Sequence, residues 1–241
     1  METITATNFE KLQQRRDALW AEIIENADWS EFVMSGNYDR RFYGIFLIQT
    51  YHYVRHNPKH QALVATRNVE MPIPYAQFCY EHAEEETGHE MMAYNDLVNL
   101  GLSDKRPTLP GPHPSTEVFI GYLYWVSSQG NPLRRLGYSF WAEDSYGYIA
   151  ELMSKVKSTL GLDNSQMSFL VSHATIDEEH AKDIENMIHR FCKTEDDWQE
   201  VEKVLNTSLK LQSNMLDNVV QAYQALLDGT DSTYSFLNEL Q

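Results

Sequence analysis

An all-α fold is what this 241-residue sequence predicts, a single domain over residues 1–241 built as a bundle of about seven helices. Apolar residues recur every three or four positions along most of the chain rather than every second one, which is the helical period. Glycine and proline cluster in short breaks between those stretches, and no segment alternates as a strand would. At 42% hydrophobic and 12% aromatic residues, the chain can bury one large core without needing a second domain.

Each element has its own signal. The first helix is expected over Asn8–Asn26, with Leu12, Leu19, Trp20, Ile23 and Ile24 as its apolar stripe. The next runs from Tyr38 to Asn57, where Pro58 cannot donate into a continuing ladder. A short piece at His60–Val69 precedes a long helix from Pro74 to Leu100, with Pro74 suited to its first turn and Gly101 to its end. Residues 104–114 carry four prolines and a glycine, and are the clearest loop. Helices then follow at Ser115–Ser128, Pro132–Leu160 and Asn164–Phe191. The last begins after Thr194, with Asp197 as a capping partner, and stops before Gly229, leaving residues 229–241 as a flexible tail.

Bulk properties exclude several function classes. A formal net charge of −16 opposes binding to nucleic acid or to anionic membrane surfaces. No apolar run approaches the ~20 residues of a membrane span, and the N-terminal segment lacks the apolar core of a signal peptide. Cys79 and Cys192 form no disulfide framework, which points to a reducing compartment. The expectation is a cytoplasmic protein that handles small molecules.

Two segments carry one spacing: His82-x₃-Glu86-x₂-His89 and His173-x₃-Asp177-x₂-His180. On a continuous helix these offsets share a face, so each trio offers two imidazoles and a carboxylate to one point. The bland reading of the acidic runs around both motifs is a solvated helix face. Two histidines bracketing an acid on a core-facing helix weigh against it, because burying them without a partner costs several kcal/mol. Glu143 stands among aromatics in the middle of an expected helix and is the best further carboxylate. The metal set is therefore Glu86, His89, Glu143, His173, Asp177 and His180, with His82 as an optional addition. Mixed nitrogen and oxygen donors suit iron or manganese better than a structural zinc.

The order Glu86-x-x-His89, Glu143, His173-x₃-Asp177-x₂-His180 resembles the haem-oxygenase-like diiron oxidases and oxygenases, which bind no haem despite the name. The resemblance spans most of the chain. It implies the seven-helix haem-oxygenase-like fold, two iron ions that react with O₂ as Fe²⁺ (manganese fitting the same ligands), and a homodimer. Members that use E-x₆-H have a glutamate where this chain has His82. Family reactions include fatty-acid decarboxylation to alkenes, N-oxygenation, fragmentation of lysine-type amino acids, p-aminobenzoate formation and nitrile formation.

A pocket is expected from Phe46, Gln49, Tyr53, Phe78, Tyr138 and Trp141, with Tyr124, Trp125 and Tyr146 as further aromatics. Such a lining suits an aromatic amino acid, and oxidation of a tryptophan-type amino acid to a nitrile is the favoured reaction. Arg55, Arg134 and Arg135 are candidates to grip a substrate carboxylate. Competing readings are a diiron decarboxylase or N-oxygenase of another amino or carboxylic acid, a ferritin-like dimetal protein, a metal-free thiaminase-like relative, and an acidic helical interaction module without enzymatic activity.

Overall fold

Thr7 and Thr194 open the first and last helices by the same device. Each hydroxyl accepts the backbone N–H three residues on, while the acid there (Glu10 or Asp197) accepts the threonine's own N–H. In this computed structural model, which describes residues 7–241 but not the side chains of 173–179, the helices are α1 (Asn8–Asn26), α2 (Asp28–Ser35), α3 (Arg40–Val54), α4 (Asn57–Ala65), α5 (Ile73–Glu85), α6 (Glu90–Asn99), α7 (Pro114–Ser128), α8 (Leu136–Ala142), α9 (Ser145–Leu160), α10 (Ser168–Phe191) and α11 (Glu195–Leu227). Short 3₁₀ turns lie at Pro132–Arg135, Asn164–Gln166 and Ser235–Leu240.

The all-α class holds, and there is no strand among the described residues. The helix count exceeds seven because long helices are broken. The expected Pro74–Leu100 helix is two, α5 and α6, separated by a turn over residues 86–89 in which Gly88 has a φ of 98°. A side chain there would strain the left-handed backbone, so glycine marks the break. The expected Pro132–Leu160 helix is a 3₁₀ turn followed by α8 and α9, interrupted at Glu143 and Asp144. No glycine or proline marks that second break.

The 33-residue α11 is the spine, packing against α1, α2, α3, α7 and α8. Its buried side chains, including Val201, Leu205, Ser208, Leu209, Met215 and Val219, follow the helical period. Gly137 lets α8 lie backbone against backbone on it: a Cβ there would meet the Val201 carbonyl oxygen at 2.1 Å. Residues beyond Gly229, expected as a loose tail, fold back so that Tyr234, Leu237 and Leu240 are buried, with Leu237 against Gly44 of α3. Among the described residues no helix is long and apolar enough to cross a membrane.

Candidate metal centre

Both helix breaks fall at the candidate carboxylates. Glu86 is the residue at which α5 ends, and Glu143 the one at which α8 ends. Unwinding there turns each carboxylate towards the bundle interior, where Glu86 is 5% and Glu143 9% exposed. His82, one turn earlier on α5, is 3% exposed, and His180 of α10 is partly buried. One ligand atom from each of His82, Glu86, Glu143 and His180 lies within 4.8 Å of the other three.

The contacts inside the cluster are close but poorly shaped as hydrogen bonds. His82 Nε2 is 3.3 Å from Glu143 Oε1, and His180 Nδ1 is 3.4 Å from Glu143 Oε2. Neither of these nitrogens, nor His82 Nδ1, has a hydrogen-bond partner of proper geometry among the described residues. Orphaned polar atoms at such depth cost about 1–3 kcal/mol each unless something binds them. A cation between the carboxylates and imidazoles would satisfy both sets, so the residues present fit a metal ion by donor chemistry and by depth.

Electrostatics tie the cluster together. Burial works to raise the Glu143 pKa, but the adjoining His180 and His82 rings outweigh it and hold the carboxyl well below its usual range. Burial is the largest influence on Glu86 and works to raise it, but His89, whose Nδ1 is 3.3 Å from Glu86 Oε1, and His82 together leave it lowered. The Glu143 carboxylate in turn pushes His180 up to about 9, against the opposing effect of burial. His89 is raised by Glu86. A second layer orients Glu86: Asn57 Nδ2 donates to Oε2 at 3.3 Å, and Tyr138 OH donates to Asn57 Oδ1 at 3.1 Å. Phe78 stacks on His82, with ring centroids 5.5 Å apart and 20° between planes.

Of the expected ligands, Glu86, Glu143 and His180 come together with the optional His82. His89 meets the group through Glu86 but stands outside the four-donor cluster, because the break displaces it from the α5 face that the spacing assumed. The side chains of His173 and Asp177 lie outside the described residues. The two thiols are buried elsewhere, and burial pushes Cys79 up to about 11 and Cys192 up to about 12. Burial disfavours the thiolate of each, and neither cysteine lines the cavity beside the centre.

A cavity of about 170 Å³ adjoins the centre. Among the described residues its polar side chains are Asn57, Glu86, Glu143, Ser145, Gln212 and Ser213; the rest of that lining is aromatic and aliphatic. Phe46, Tyr53, Tyr138 and Tyr146 line it as expected. Gln49, Phe78 and Trp141 do not, and each is engaged elsewhere. Gln49 accepts from the His113 N–H and Thr116 and donates to Tyr234. Phe78 backs His82, and Trp141 Nε1 donates to Ser208 in the core. Tyr124 pairs with His56, and Trp125 is exposed beneath Arg134. None of the three arginines reaches the cavity. Arg55 lies over Tyr51, Arg134 binds the Trp125 and Val126 carbonyls, and Arg135 binds Ser139 and His60. The sequence reading missed Trp20, Trp29 and Leu216, which enter the lining from α1, α2 and α11; their core-like periodicity hides that role.

Residues 45–212 match the family described as iron-containing redox enzymes, and that span includes every candidate ligand. The chain belongs to this family. A crystal structure from Shewanella denitrificans, a domain of unknown function with a heme oxygenase-like fold, is 40% identical. The match covers 96% of this chain and 98% of that one, with a TM-score of 0.86. Two TenA homologues share the fold: one from Pyrococcus furiosus (16% identity, 88% and 100% coverage, TM-score 0.68) and one from P. horikoshii (14%, 89% and 98%, 0.63). No curated protein matches the chain. The haem-oxygenase-like superfamily resemblance drawn from the ligand order is therefore correct.

Proposed function

We propose that this family member is an O₂-dependent non-haem diiron oxidase acting on a small amino acid with an aromatic body. The observation that carries the reading is the buried meeting of Glu86 and Glu143 with imidazole nitrogens that make no proper hydrogen bond. His82, Glu86, Glu143 and His180 would hold one iron. His89, with the sequence-assigned His173 and Asp177, completes a donor set sufficient for a second. When bound, the iron pair supplies O₂ activation and Lewis acidity beside the cavity.

The chain's own residues have definable tasks. Asn57 and Tyr138 fix the Glu86 carboxylate in one orientation, and Phe78 does the same for the His82 ring. The aromatic walls exclude water from the reacting end. Among the described residues no lysine or arginine lines the cavity, so a substrate carboxylate or amine would be gripped by the iron pair held at Glu86 and Glu143 rather than by a side-chain charge. A cavity of about 170 Å³ favours a compact ring over a long acyl chain, since an engineered ~150 Å³ void holds benzene. Within that class, conversion of a tryptophan-type amino acid to a nitrile is our preferred reaction, ahead of N-oxygenation or decarboxylation.

The test is anaerobic loading with Fe²⁺, metal analysis, then O₂ addition with candidate amino acids and mass spectrometry. The reading expects two irons per chain, sharply reduced iron in His180→Ala, and product only when iron and O₂ are both present. Failure to retain iron, or product formation without it, ends this reading.

A further inference from the structure

A continuous file of aromatic rings leads from the Glu86 side of the centre to the protein surface. Tyr138, bonded through Asn57 to Glu86, is 5.2 Å from Trp141 between ring centroids. Trp141 is 6.1 Å from Trp20, and Trp20 is stacked on Tyr148 at 5.3 Å with 9° between planes. Tyr148 is only partly buried, and its hydroxyl donates to the exposed carboxylate of Asp17. These elements come from three different helices, α8, α1 and α9, so no single helical periodicity puts the rings in line.

The hydrogen-bond partners change along the file in a way that packing alone does not require. Tyr138 donates to an amide oxygen and Trp141 to the Ser208 hydroxyl, both weak bases. Trp20 Nε1 is buried and has no acceptor among the described residues. Only Tyr148 faces a carboxylate. Tyrosine loses its phenolic proton on one-electron oxidation, so a hole entering this file comes to rest where a base can take that proton. Arg16 fixes that end, contacting Asp17 at 3.1 Å and Asp144 at 2.7 Å while lying over the Tyr148 ring.

We propose that Tyr138, Trp141, Trp20 and Tyr148 form an electron-transfer path between the centre and the surface, with Tyr148 as a redox-active terminus and Asp17 as its proton acceptor. The proposal rests on the oxidase reading, with O₂ as the oxidant. When no substrate occupies the cavity, an oxidising equivalent gained at the centre from O₂ is filled by one electron passing inward along the file. Tyr148 loses that electron, its phenolic proton moves to Asp17, and a neutral phenoxyl radical remains. A small external reductant of the thiol or ascorbate class returns the electron and Asp17 returns the proton. The same route thus admits reducing equivalents to a centre whose carboxylates Glu86 and Glu143 are buried.

Two measurements test this, and the first needs no iron. Laser photo-ionisation of tryptophan in the metal-free protein should yield a tryptophanyl radical that converts to tyrosyl at a rate independent of protein concentration. Tyr148→Phe and Trp20→Phe should each slow that conversion about tenfold or more, and Asp17→Asn, a surface change that spares the packing, should slow it as well. Unchanged rates in Tyr148→Phe and Asp17→Asn overturn the path. In the second, iron-loaded protein meets O₂ without substrate and is frozen for electron paramagnetic resonance. A tyrosyl signal in the wild type that is absent in Tyr148→Phe supports the proposal. Iron bound and O₂ consumed with no tyrosyl signal overturns it. If no iron binds, the oxidase reading is what fails, and the photo-ionisation result still decides whether the path conducts.

Discussion

Replacing Glu143 by glutamine removes one charge at nearly constant volume and tests the electrostatic account of the centre directly. In the metal-free protein Glu143 is the main cause of the His180 shift from an ordinary 6.5 up to about 9. That difference is equivalent to about 3 kcal/mol, which the partial exposure of the ring reduces to ~1–2 kcal/mol of folding stability. The sign follows from linkage: a histidine raised in the native state stabilises fully below its unfolded pKa and loses that contribution as pH climbs through the folded value. Metal-free wild-type protein should therefore lose ~1–2 kcal/mol between about pH 6.5 and 9, and Glu143→Gln should show a much flatter profile there. Urea unfolding across that range, with NMR titration of the histidine ring carbons, measures both quantities. A His180 that still titrates near 9 in the variant, or a wild type that gains stability over the interval, refutes the reasoning.

Three further outcomes are expected. Gly137→Ala should destabilise by roughly 3 kcal/mol or more by chemical denaturation, because a Cβ at 2.1 Å from the Val201 carbonyl pushes α8 off α11; this overpacking outweighs the ~1 kcal/mol gain in helix propensity. Gly88→Ala meets no neighbour within 4 Å, so its cost should be only the ~1–2 kcal/mol of a left-handed non-glycine residue, and a loss below ~0.5 kcal/mol would show that the turn relaxes. Leu216→Phe narrows the cavity wall without touching the donor cluster, so iron content should stay at the wild-type level while the KM for an aromatic substrate rises several-fold; falling iron content would contradict the separation of cavity and centre.

How much of this was legible varies by element. The bounds of α1, the start of α11 and the Thr194–Asp197 cap follow from local chemistry and were readable without the fold. The short α2 was not, because Asp28–Ser35 has too few turns for its period to stand out. The spacing of His82, Glu86 and His89 named two residues, His82 and Glu86, that the fold brings into one cluster, and did so for partly the wrong reason. It assumed one unbroken helix, whereas the turn at residues 86–89 carries Glu86 inward and leaves His89 beside it, Nδ1 3.3 Å from Oε1. Pocket residues were the least readable, since Trp20 and Leu216 look like core in any helical stripe, and Gln49 looks like a pocket amide until its three partners are known.

From residue order alone came the helical class, the caps and the chemical kinds of the candidate donors, because these depend on contacts within a few positions along the chain. Tertiary packing decided where helices break and which donors converge. It also decided that no arginine among the described residues faces the cavity and that four aromatic rings line up from Glu86 to Asp17. Those depend on the seating of α5 on α4, of α8 on α11 and of α10 on α8, and nothing within a single helix encodes the distance to another.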